Sequence, residues 1–285
     1  MIKKLLAGIF FLMGIVGCDK AEEPSSVDPG WNNTGSTDEL IVMSYNIRHC
    51  APYYGTSETT KADVNNVAGV LKRLKPDVVF LQEVDKSTTR SLGIDQAARL
   101  AELAGYPFYY FFKAMDYQGG EYGIALLSGI PLKDCVAHVL PKEYPDGVVS
   151  GDFVVGTAKI HFAGTDILLV NAHLSVNQSD RDKQMPYILE NIIGNTEQPV
   201  LYGGDFNANP SNNTIRQLTD GAFTRTNTDA GNFTIPSNAP NREIDYISYR
   251  PENRFQVINH LVHTGINASD HLPLTSKIKI KTAKN

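Results

Sequence analysis

The segment that decides the fold reads Pro199-Val200-Leu201-Tyr202-Gly203-Gly204-Asp205-Phe206-Asn207-Ala208-Asn209-Pro210. Its apolar beginning predicts a strand, and the residues after it predict that a short helix follows. Asp205 and Asn207 are two residues apart, so their side chains leave the same face while the chain stays extended. Gly203 and Gly204 carry no Cβ, which allows a sharp turn and close approach of a ligand. Taken alone, the segment fits an ordinary turn equally well.

Other predicted strands on both sides of this segment also carry polar residues that can do chemistry. Residues 39–47, 77–83 and 166–172 are apolar runs, and 243–249 is a further predicted strand. A single Asp or His at a strand end is usually a cap or a turn residue, so none of these residues identifies a site alone. The residues are Asn46, Glu83, His173, Asp205 with Asn207, Asp245, and Asp270 with His271.

The remaining patterns predict helices and more strands. Apolar residues recur at helical spacing over 61–74, 95–105 and 179–194, although Pro186 must kink the last helix or lie near its start. Lys at every second position in 276–281 is typical of an edge strand that is protected by charge. Further strands are predicted over 106–112, whose aromatic residues we interpret as core, 123–128 and 152–162.

The order and context of seven motifs resemble the endonuclease/exonuclease/phosphatase superfamily, from about residue 40 to residue 280. That superfamily includes pancreatic-type deoxyribonuclease, abasic-site endonucleases, sphingomyelinases and inositol polyphosphate phosphatases. The resemblance implies an α/β (α+β) four-layer sandwich, in which two mixed β-sheets pack face to face and helices lie outside. The motifs are Ser-Tyr-Asn46-Ile, Asp-Val-Val-Phe-Leu-Gln-Glu83-Val, Tyr-Gly-Ile-Ala-Leu-Leu-Ser128, Asn-Ala-His173-Leu, Gly-Gly-Asp205-Phe-Asn207, Glu-Ile-Asp245-Tyr-Ile and Ser-Asp270-His271-Leu-Pro-Leu.

The resemblance implies a divalent metal site. Glu83, with Asn46 beside it, would hold Mg²⁺ or Mn²⁺, and Asp270 would support that metal or bind a second one. Hard oxygen ligands suit these ions, which bind through one or two carboxylates and keep several waters.

The resemblance also implies the catalytic roles. Asp205 would orient or deprotonate the attacking water, and Asn207 would fix the phosphate or that water. His173 and His271 would donate hydrogen bonds to the non-bridging oxygens, and Asp245 would orient His271. A phosphodiester repels anionic nucleophiles, so catalysis requires charge neutralisation, a positioned water and a base.

Two arginines are candidate phosphate-binding residues. Arg48 stands where the abasic-site branch of the superfamily has an acidic residue, and a guanidinium can hold a phosphate through two hydrogen bonds. We assign Arg90 to substrate binding as well, and the alternative for Arg90 is a surface ion pair. Together they make the chain similar to secreted bacterial members of the superfamily rather than to a DNA-repair enzyme.

Composition limits the possible functions. A chain of 285 residues with 42% hydrophobic content can form one large domain or two small ones. The formal net charge of -5 disfavours a protein that binds duplex DNA by charge alone, although metal sites need carboxylates. We expect a monomeric metal-dependent phosphoesterase that acts on a small or lipid-derived ester. The alternatives are an extracellular nuclease and a catalytically silent binding lipoprotein, and the intact motif residues argue against the latter.

The N-terminus predicts export. Residues 1–18 combine Lys3 and Lys4 with an apolar run too short to span a bilayer, and they end in Ile15-Val16-Gly17-Cys18. This resembles a bacterial lipoprotein signal with lipidation on Cys18, and the alternative is a plain secretory signal. Residues 19–38 are predicted to be a flexible tether before a catalytic domain over 39–285. We expect anchoring at the outer membrane or surface of a Gram-negative bacterium.

The two other cysteines match no metal motif. Cys50 and Cys135 have no metal-ligand spacing, and export leaves a disulfide between them as an open possibility.

Overall fold

The computed structural model describes residues 38–56, 61–145, 147–148 and 152–281. The predicted signal peptide over 1–18 and all but the last residue of the tether over 19–38 lie outside the described residues. Among the described residues, no helix is both long enough and apolar enough to cross a membrane.

The described residues form fourteen strands and four α-helices. The strands are β1 Glu39–Asn46, β2 Val78–Lys86, β3 Phe108–Tyr117, β4 Gly120–Ser128, β5 Lys133–Val139, β6 Glu143–Tyr144, β7 Gly147–Val148, β8 Val154–Phe162, β9 Thr165–His173, β10 Val200–Asp205, β11 Thr224–Arg225, β12 Asp245–Arg250, β13 Phe255–Val262 and β14 Leu274–Ile280. The helices are α1 Val64–Leu74, α2 Gln96–Ala104, α3 Gln178–Tyr187 and α4 Asn213–Asp220.

Twelve of these strands form two six-stranded sheets. Sheet A has the order β13-β14-β1-β2-β4-β3, and sheet B has the order β11-β12-β10-β9-β8-β5. Each sheet has a parallel pair at its centre, β1 with β2 and β9 with β10, among antiparallel neighbours. The carboxyl ends of parallel strands meet at one edge, so these two pairs bring four of the predicted site motifs to the sheet ends.

Three apolar clusters divide the molecule into four layers. One cluster lies between the sheets and includes Phe80, Phe112 and Leu201. A second lies between sheet A and helices α1 and α2, and a third lies between sheet B and helices α3 and α4. The expected four-layer sandwich of two mixed sheets flanked by helices is therefore confirmed.

Gly203 serves packing between the sheets rather than a turn. It lies inside β10, and a Cβ built on it would come within 2.5 Å of the Phe80 ring on the opposite sheet. The predicted strand therefore continues to Asp205, and the turn that this glycine would allow does not form. The close approach that the glycine permits is that of an aromatic ring.

The predicted edge strand over 276–281 is also wrong. β14 lies between β13 and β1, so both of its edges are hydrogen-bonded. Lys277 pairs with Glu39 at 2.6 Å and Lys279 with Asp38 at 3.0 Å. The alternating lysines mark the polar face of a strand inside the sheet, and β13, which the sequence patterns did not predict, forms the edge.

The predicted helices form with adjusted ends. The helix expected over 61–74 begins at Val64, because the Asp63 carboxylate accepts the Asn65 N–H and caps it. The helix expected over 179–194 is α3, which contains Pro186, followed by a π-helical segment, Ile188–Ile193, that begins two residues after this proline. Cys50 is a buried free thiol, so it forms no bridge with Cys135.

A buried amide joins the two sheets beneath their common end. The side-chain amide of Asn171 in β9 donates to the carbonyl oxygens of Leu81 at 3.0 Å and Ala125 at 2.9 Å, which belong to sheet A. Its own oxygen accepts a hydrogen bond of 2.8 Å from Gln82. Leu81 and Ala125 are the last paired residues before an irregularity in the β2–β4 ladder, so the amide secures the sheet where its own pairing is interrupted.

We predict that Asn171→Ala lowers the free energy of unfolding by about 3 kcal/mol, because it leaves buried partners in sheet A without hydrogen bonds. Urea denaturation measures this change. Asn191→Ala, which removes an exposed amide bonded to the Tyr187 carbonyl, is the control and should change stability by less than about 0.5 kcal/mol. A loss below about 1 kcal/mol for Asn171→Ala would show that the bridge is dispensable.

Candidate active site

Strand register brings three of the predicted residues side by side. Asp205 at the end of β10 is paired with His173 of β9 on one side and with Asp245 of β12 on the other. Neighbouring strands lie roughly 4.8 Å apart, and residues in one row point to the same face. The backbone hydrogen bonds of sheet B therefore fix the spacing of these side chains.

The Asp205 carboxylate is the point on which the site converges. Its Oδ2 accepts a hydrogen bond of 3.1 Å from Asn46 Nδ2, and it lies 3.5 Å from His173 Nε2 and 3.7 Å from His271 Nε2. Its Oδ1 accepts the Asn207 backbone N–H at 2.9 Å. Asp205 is 1% exposed, so an anionic group is held in place by donors on several sides.

His271 connects Asp205 to Asp245. Its Nδ1 lies 2.9 and 3.1 Å from the two carboxylate oxygens of Asp245, which leaves Nε2 facing Asp205. The Thr234 hydroxyl donates to Asp245 from behind. The Ser269 hydroxyl donates to the Asn46 carbonyl and accepts the His271 N–H, and this links the segment to the end of β1.

Two carboxylates hold a proton on His271. Burial works against the imidazolium, but the negative charges of Asp245 and Asp205 outweigh it and raise the pKa of His271 to about 10. Burial raises the pKa of Asp245 as well, and contact with the imidazole opposes that shift. Atoms of Asp205, Asp245 and His271 lie within 4.8 Å of one another, as metal ligands can. In the metal-free protein the raised pKa keeps a proton on His271 between the two carboxylates.

Glu83 enters the site from sheet A through a bulge. It has a φ of 55° where the register between β2 and β4 shifts, and such bulges redirect a side chain. Its Oε1 accepts a hydrogen bond of 3.1 Å from Asn46 Nδ2, the atom that also donates to Asp205. A carboxylate oxygen of this kind suits a hard divalent cation, and no lysine or arginine neutralises Glu83 among the ion pairs of the described residues. Asn46, which the resemblance assigned to the metal, instead uses its side-chain oxygen to accept the Arg48 N–H.

Arg48 and Asp270 lie together beside this centre. Arg48 Nε is 3.9 Å from Asp270 Oδ2, and the guanidinium lies over the Tyr53 ring at 5.5 Å. Residues 48–50 all have left-handed φ angles of 44° to 59°, and the Arg48 N–H donates to the Asn46 side-chain oxygen. The structure thus joins a residue assigned to phosphate binding with one assigned to a metal.

Arg90 is held in an ion pair instead of being free for substrate. Its guanidinium makes two hydrogen bonds of 2.8 Å to the buried Asp85 carboxylate and lies 4.5 Å from the centre of the Tyr117 ring. This is the ion-pair alternative, with one partner fully buried. The Asp85 carboxylate offsets the positive charge of Arg90.

The Asn207 side chain is directed away from the centre. Its amide donates to the Leu174 carbonyl at 2.9 Å, and its backbone has a φ of 48°. The expectation that Asp205 and Asn207 share one face therefore fails, because the chain leaves the strand between them. Asn207 acts on the site through its backbone N–H, which holds Asp205.

Four residues near the site received no role from the sequence. Asp85 and Thr234 hold Arg90 and Asp245, and a buried hydrogen-bond partner leaves no pattern in one sequence. His49 lies next to the Arg48 motif, and burial together with Arg90 lowers its pKa. Tyr122 begins the Tyr-Gly-Ile-Ala motif. Burial and the nearby carboxylates of Glu83 and Asp205 raise the pKa of Tyr122, so its position in a motif was the available signal.

The Asp205 carboxylate contacts imidazole and amide nitrogens, and the Glu83 carboxylate lies beside it. This arrangement suits a hydrolytic centre for anionic esters. The chain belongs to the Endonuclease/Exonuclease/phosphatase family, whose model matches residues 43–271. Members of this family are hydrolytic phosphoesterases and nucleases. A comparison with curated proteins finds no match.

Solved structures share the fold at low sequence identity. An endonuclease/exonuclease/phosphatase from Beutenbergia cavernae DSM 12333 is 23% identical, with a TM-score of 0.69 over 85% of this chain and 72% of that chain. The human Nocturnin catalytic domain with bound sulfate is 18% identical, with a TM-score of 0.65 over 85% and 95%. A mannosyl-6-phosphatase from Bacteroides thetaiotaomicron VPI-5482 is 18% identical, with a TM-score of 0.64 over 84% and 99%.

We predict that the His271 imidazole of the metal-free protein stays protonated at pH 8, because its pKa lies far above the roughly 6.5 of a free imidazole. Because folding raises the pKa of His271, its contact with Asp245 stabilises the fold fully below about pH 6.5. This stabilisation is lost as the pH rises towards 10. Nitrogen-15 NMR of the ring measures the protonation directly.

Asp245→Asn should move this titration down towards neutral pH, since the imidazolium loses its adjacent carboxylate. Asp166→Asn is a matched control, because it removes an exposed Asp–His contact, with His161, and should leave His271 unchanged. If His271 loses its proton below pH 7 in the unmodified protein, the electrostatic account of the pair is wrong.

Proposed function

We propose that the protein is an exported, divalent-metal-dependent phosphoesterase that cleaves phosphate esters by attack of water on phosphorus. The observation that carries this proposal is the convergence of Asn46, His173 and His271 on one oxygen of Asp205. Three nitrogens within 3.7 Å of that oxygen surround a space in which an anionic, tetrahedral group would meet donors on several sides.

Asp205 is the base in this proposal. Its Oδ2 would hold the attacking water and accept its proton, while the Asn207 N–H keeps Oδ1 in place. The position of the carboxylate relative to the water provides most of the catalytic advantage.

The two histidines stabilise the charge that develops. His173 Nε2 and His271 Nε2 both face Asp205, so both would donate to the non-bridging oxygens of a phosphate in front of it. Asp245 holds His271 in the required orientation through two contacts to Nδ1. Donors that are already oriented cost little reorganisation when the oxygens gain charge.

Glu83 is the residue that would hold the divalent ion, with Asp270 nearby, and Asn46 would position the Glu83 carboxylate through its amide N–H. The carboxylate oxygens carry the negative charge that Mg²⁺ or Mn²⁺ prefers. Such an ion supplies charge neutralisation and polarises the phosphoryl oxygens when it is bound. The Glu83 bulge directs the carboxylate into the site, which supports this assignment.

We favour a small or lipid-derived ester over nucleic acid. The net charge of -5 gives no general attraction for a polyanion, and the ion pair with Asp85 occupies Arg90. The alternative is an extracellular nuclease, which the same hydrolytic centre would also serve. Hydrolysis of DNA or RNA at rates above those of small diesters would favour that alternative.

We predict that hydrolysis of bis(p-nitrophenyl) phosphate requires Mg²⁺ or Mn²⁺ and that Asp205→Asn lowers kcat by roughly 10² to 10⁴. The variant should melt at nearly the temperature of the unmodified protein, since Asn keeps the shape of Asp. Asp134→Asn, which removes an exposed carboxylate paired with Lys159, is the control and should keep full activity. Nearly full kcat in Asp205→Asn would remove the proposed base.

Glu83→Gln should raise the concentration of divalent ion needed for half-maximal rate, because one protein ligand loses its charge. Glu102→Gln changes an exposed glutamate paired with Arg99 and serves as the control. Titration of activity with Mg²⁺ after removal of metal by a chelator measures the effect. Activity that persists in excess chelator would contradict the metal assignment.

We also propose that Cys18 carries a lipid that holds the protein at the cell envelope, on the basis of the signal-like sequence before it. Cys18→Ala should then move the protein from the membrane fraction to the soluble fraction. Wild-type protein that is fully soluble after fractionation would overturn this proposal.

A further inference from the structure

An apolar pocket of about 180 Å³ opens beside His173. Its walls come from both sheets, with Met115 of β3 and Ile124 of β4 on one side and Phe153 and Val154 at the start of β8 on the other. Tyr122, Asp152 and His173 also line it, and His173 lies beside Asp205 of the site. A mostly apolar wall with a few polar groups is typical of a ligand-binding pocket.

The pocket and the hydrolytic centre share one residue, His173. The same imidazole that lines the pocket has its Nε2 3.5 Å from Asp205 Oδ2. A phosphate bound at Asp205 would therefore have one of its ester substituents directed along the His173 ring into this space. The Asp152 carboxylate also borders the pocket, but it is paired with Lys142 at 2.5 Å.

We propose that this pocket binds an apolar ester substituent of the substrate, a single aromatic ring or a short alkyl chain bonded through oxygen to the phosphate. This inference rests on the proposed function, because it assumes a phosphate at Asp205. An apolar protein cavity of about 150 Å³ is known to hold one benzene molecule, so the volume fits one ring.

The polarity of the walls decides between classes of substituent. Each buried methylene should strengthen binding by about fourfold until the pocket is full. A sugar or polyol would place hydroxyl groups against Met115, Ile124 and Phe153, where they lose hydrogen bonds to water without replacement. The pocket therefore selects an aryl or alkyl ester over a glycosyl or nucleoside ester.

Phosphonates test the pocket without hydrolysis, since each has one substituent and no ester bond. We expect calorimetry with saturating Mg²⁺ to show binding that tightens from methylphosphonate to butylphosphonate. Phenylphosphonate should bind at least about tenfold more tightly than methylphosphonate, the gain expected from burying a few carbon atoms.

Met115→Gln keeps the length of the side chain but adds an amide, and Met115→Ala removes the contact. Both variants should reduce the phenyl preference several-fold and leave the affinity for methylphosphonate unchanged. Leu261→Gln changes a 48% exposed leucine on β13 and is the matched control, for which the full preference should remain.

The results distinguish a wrong pocket assignment from a wrong assignment of the phosphate site. Equal affinity for methyl- and phenylphosphonate, or a preference that both Met115 variants retain, would overturn the pocket assignment while phosphate recognition stands. Failure of every phosphonate to bind, together with no hydrolysis of bis(p-nitrophenyl) phosphate, would overturn the proposed function and this inference with it.

Discussion

Buried hydrogen bonds between the sheets join the two halves of the active site. Asn46 and Glu83 come from sheet A, whereas His173, Asp205 and Asp245 come from sheet B. Between the sheets the core is mostly apolar, and apolar contacts alone do not define how one sheet slides over the other. The Asn171 amide does define it, because three hydrogen bonds of fixed direction join β9 to β2 and β4 just below the site.

Five residues at or beside the active site have strained backbone conformations. Glu83, Asn207 and residues 48–50 all adopt left-handed conformations, which cost about 1–2 kcal/mol for each residue other than glycine. Three of these five residues are held by contacts within the site. The Asn207 N–H binds Asp205, the Arg48 N–H binds Asn46, and the Glu83 carboxylate accepts from Asn46. Strain that neighbouring groups maintain in this way is typical of functional sites, where it directs side chains that a regular strand would point elsewhere.

Most strands and helices could be predicted because apolar runs and helical periods mark them in the sequence. The four-layer arrangement and the roles of Asp205 and His173 came instead from the resemblance of the seven motifs to a known superfamily, since a polar residue after a buried run does not identify a site alone. Pairing partners could not be predicted. The lysines of β14 indicate a polar face, but they do not show whether another strand pairs with the outer edge of β14. In the structure, β13 pairs with that edge.

Side-chain partners were equally inaccessible from the sequence. Nothing in the residues around Arg90 shows that the Asp85 carboxylate would be buried against it. The two residues are five apart in the chain, and they meet only because the chain turns back between them. Strand periodicity predicts the direction of the Asn207 side chain only if the strand continues past Asp205. The left-handed backbone of Asn207 turns its side chain away instead, and a single sequence does not show which residues adopt a left-handed φ angle.

The edge position of β3 separates the two tasks of the molecule. Asp205 lies on an interior strand, and its neighbours on both sides are fixed by ladder hydrogen bonds. Met115 lies on β3, which is hydrogen-bonded only to β4 in sheet A, beside a register shift. Replacement of Met115 would disturb only the pairing of β3 with β4, at the edge of sheet A. Mutational drift or a designed library could thus vary the wall beside His173 widely while the hydrolytic centre is inherited unchanged.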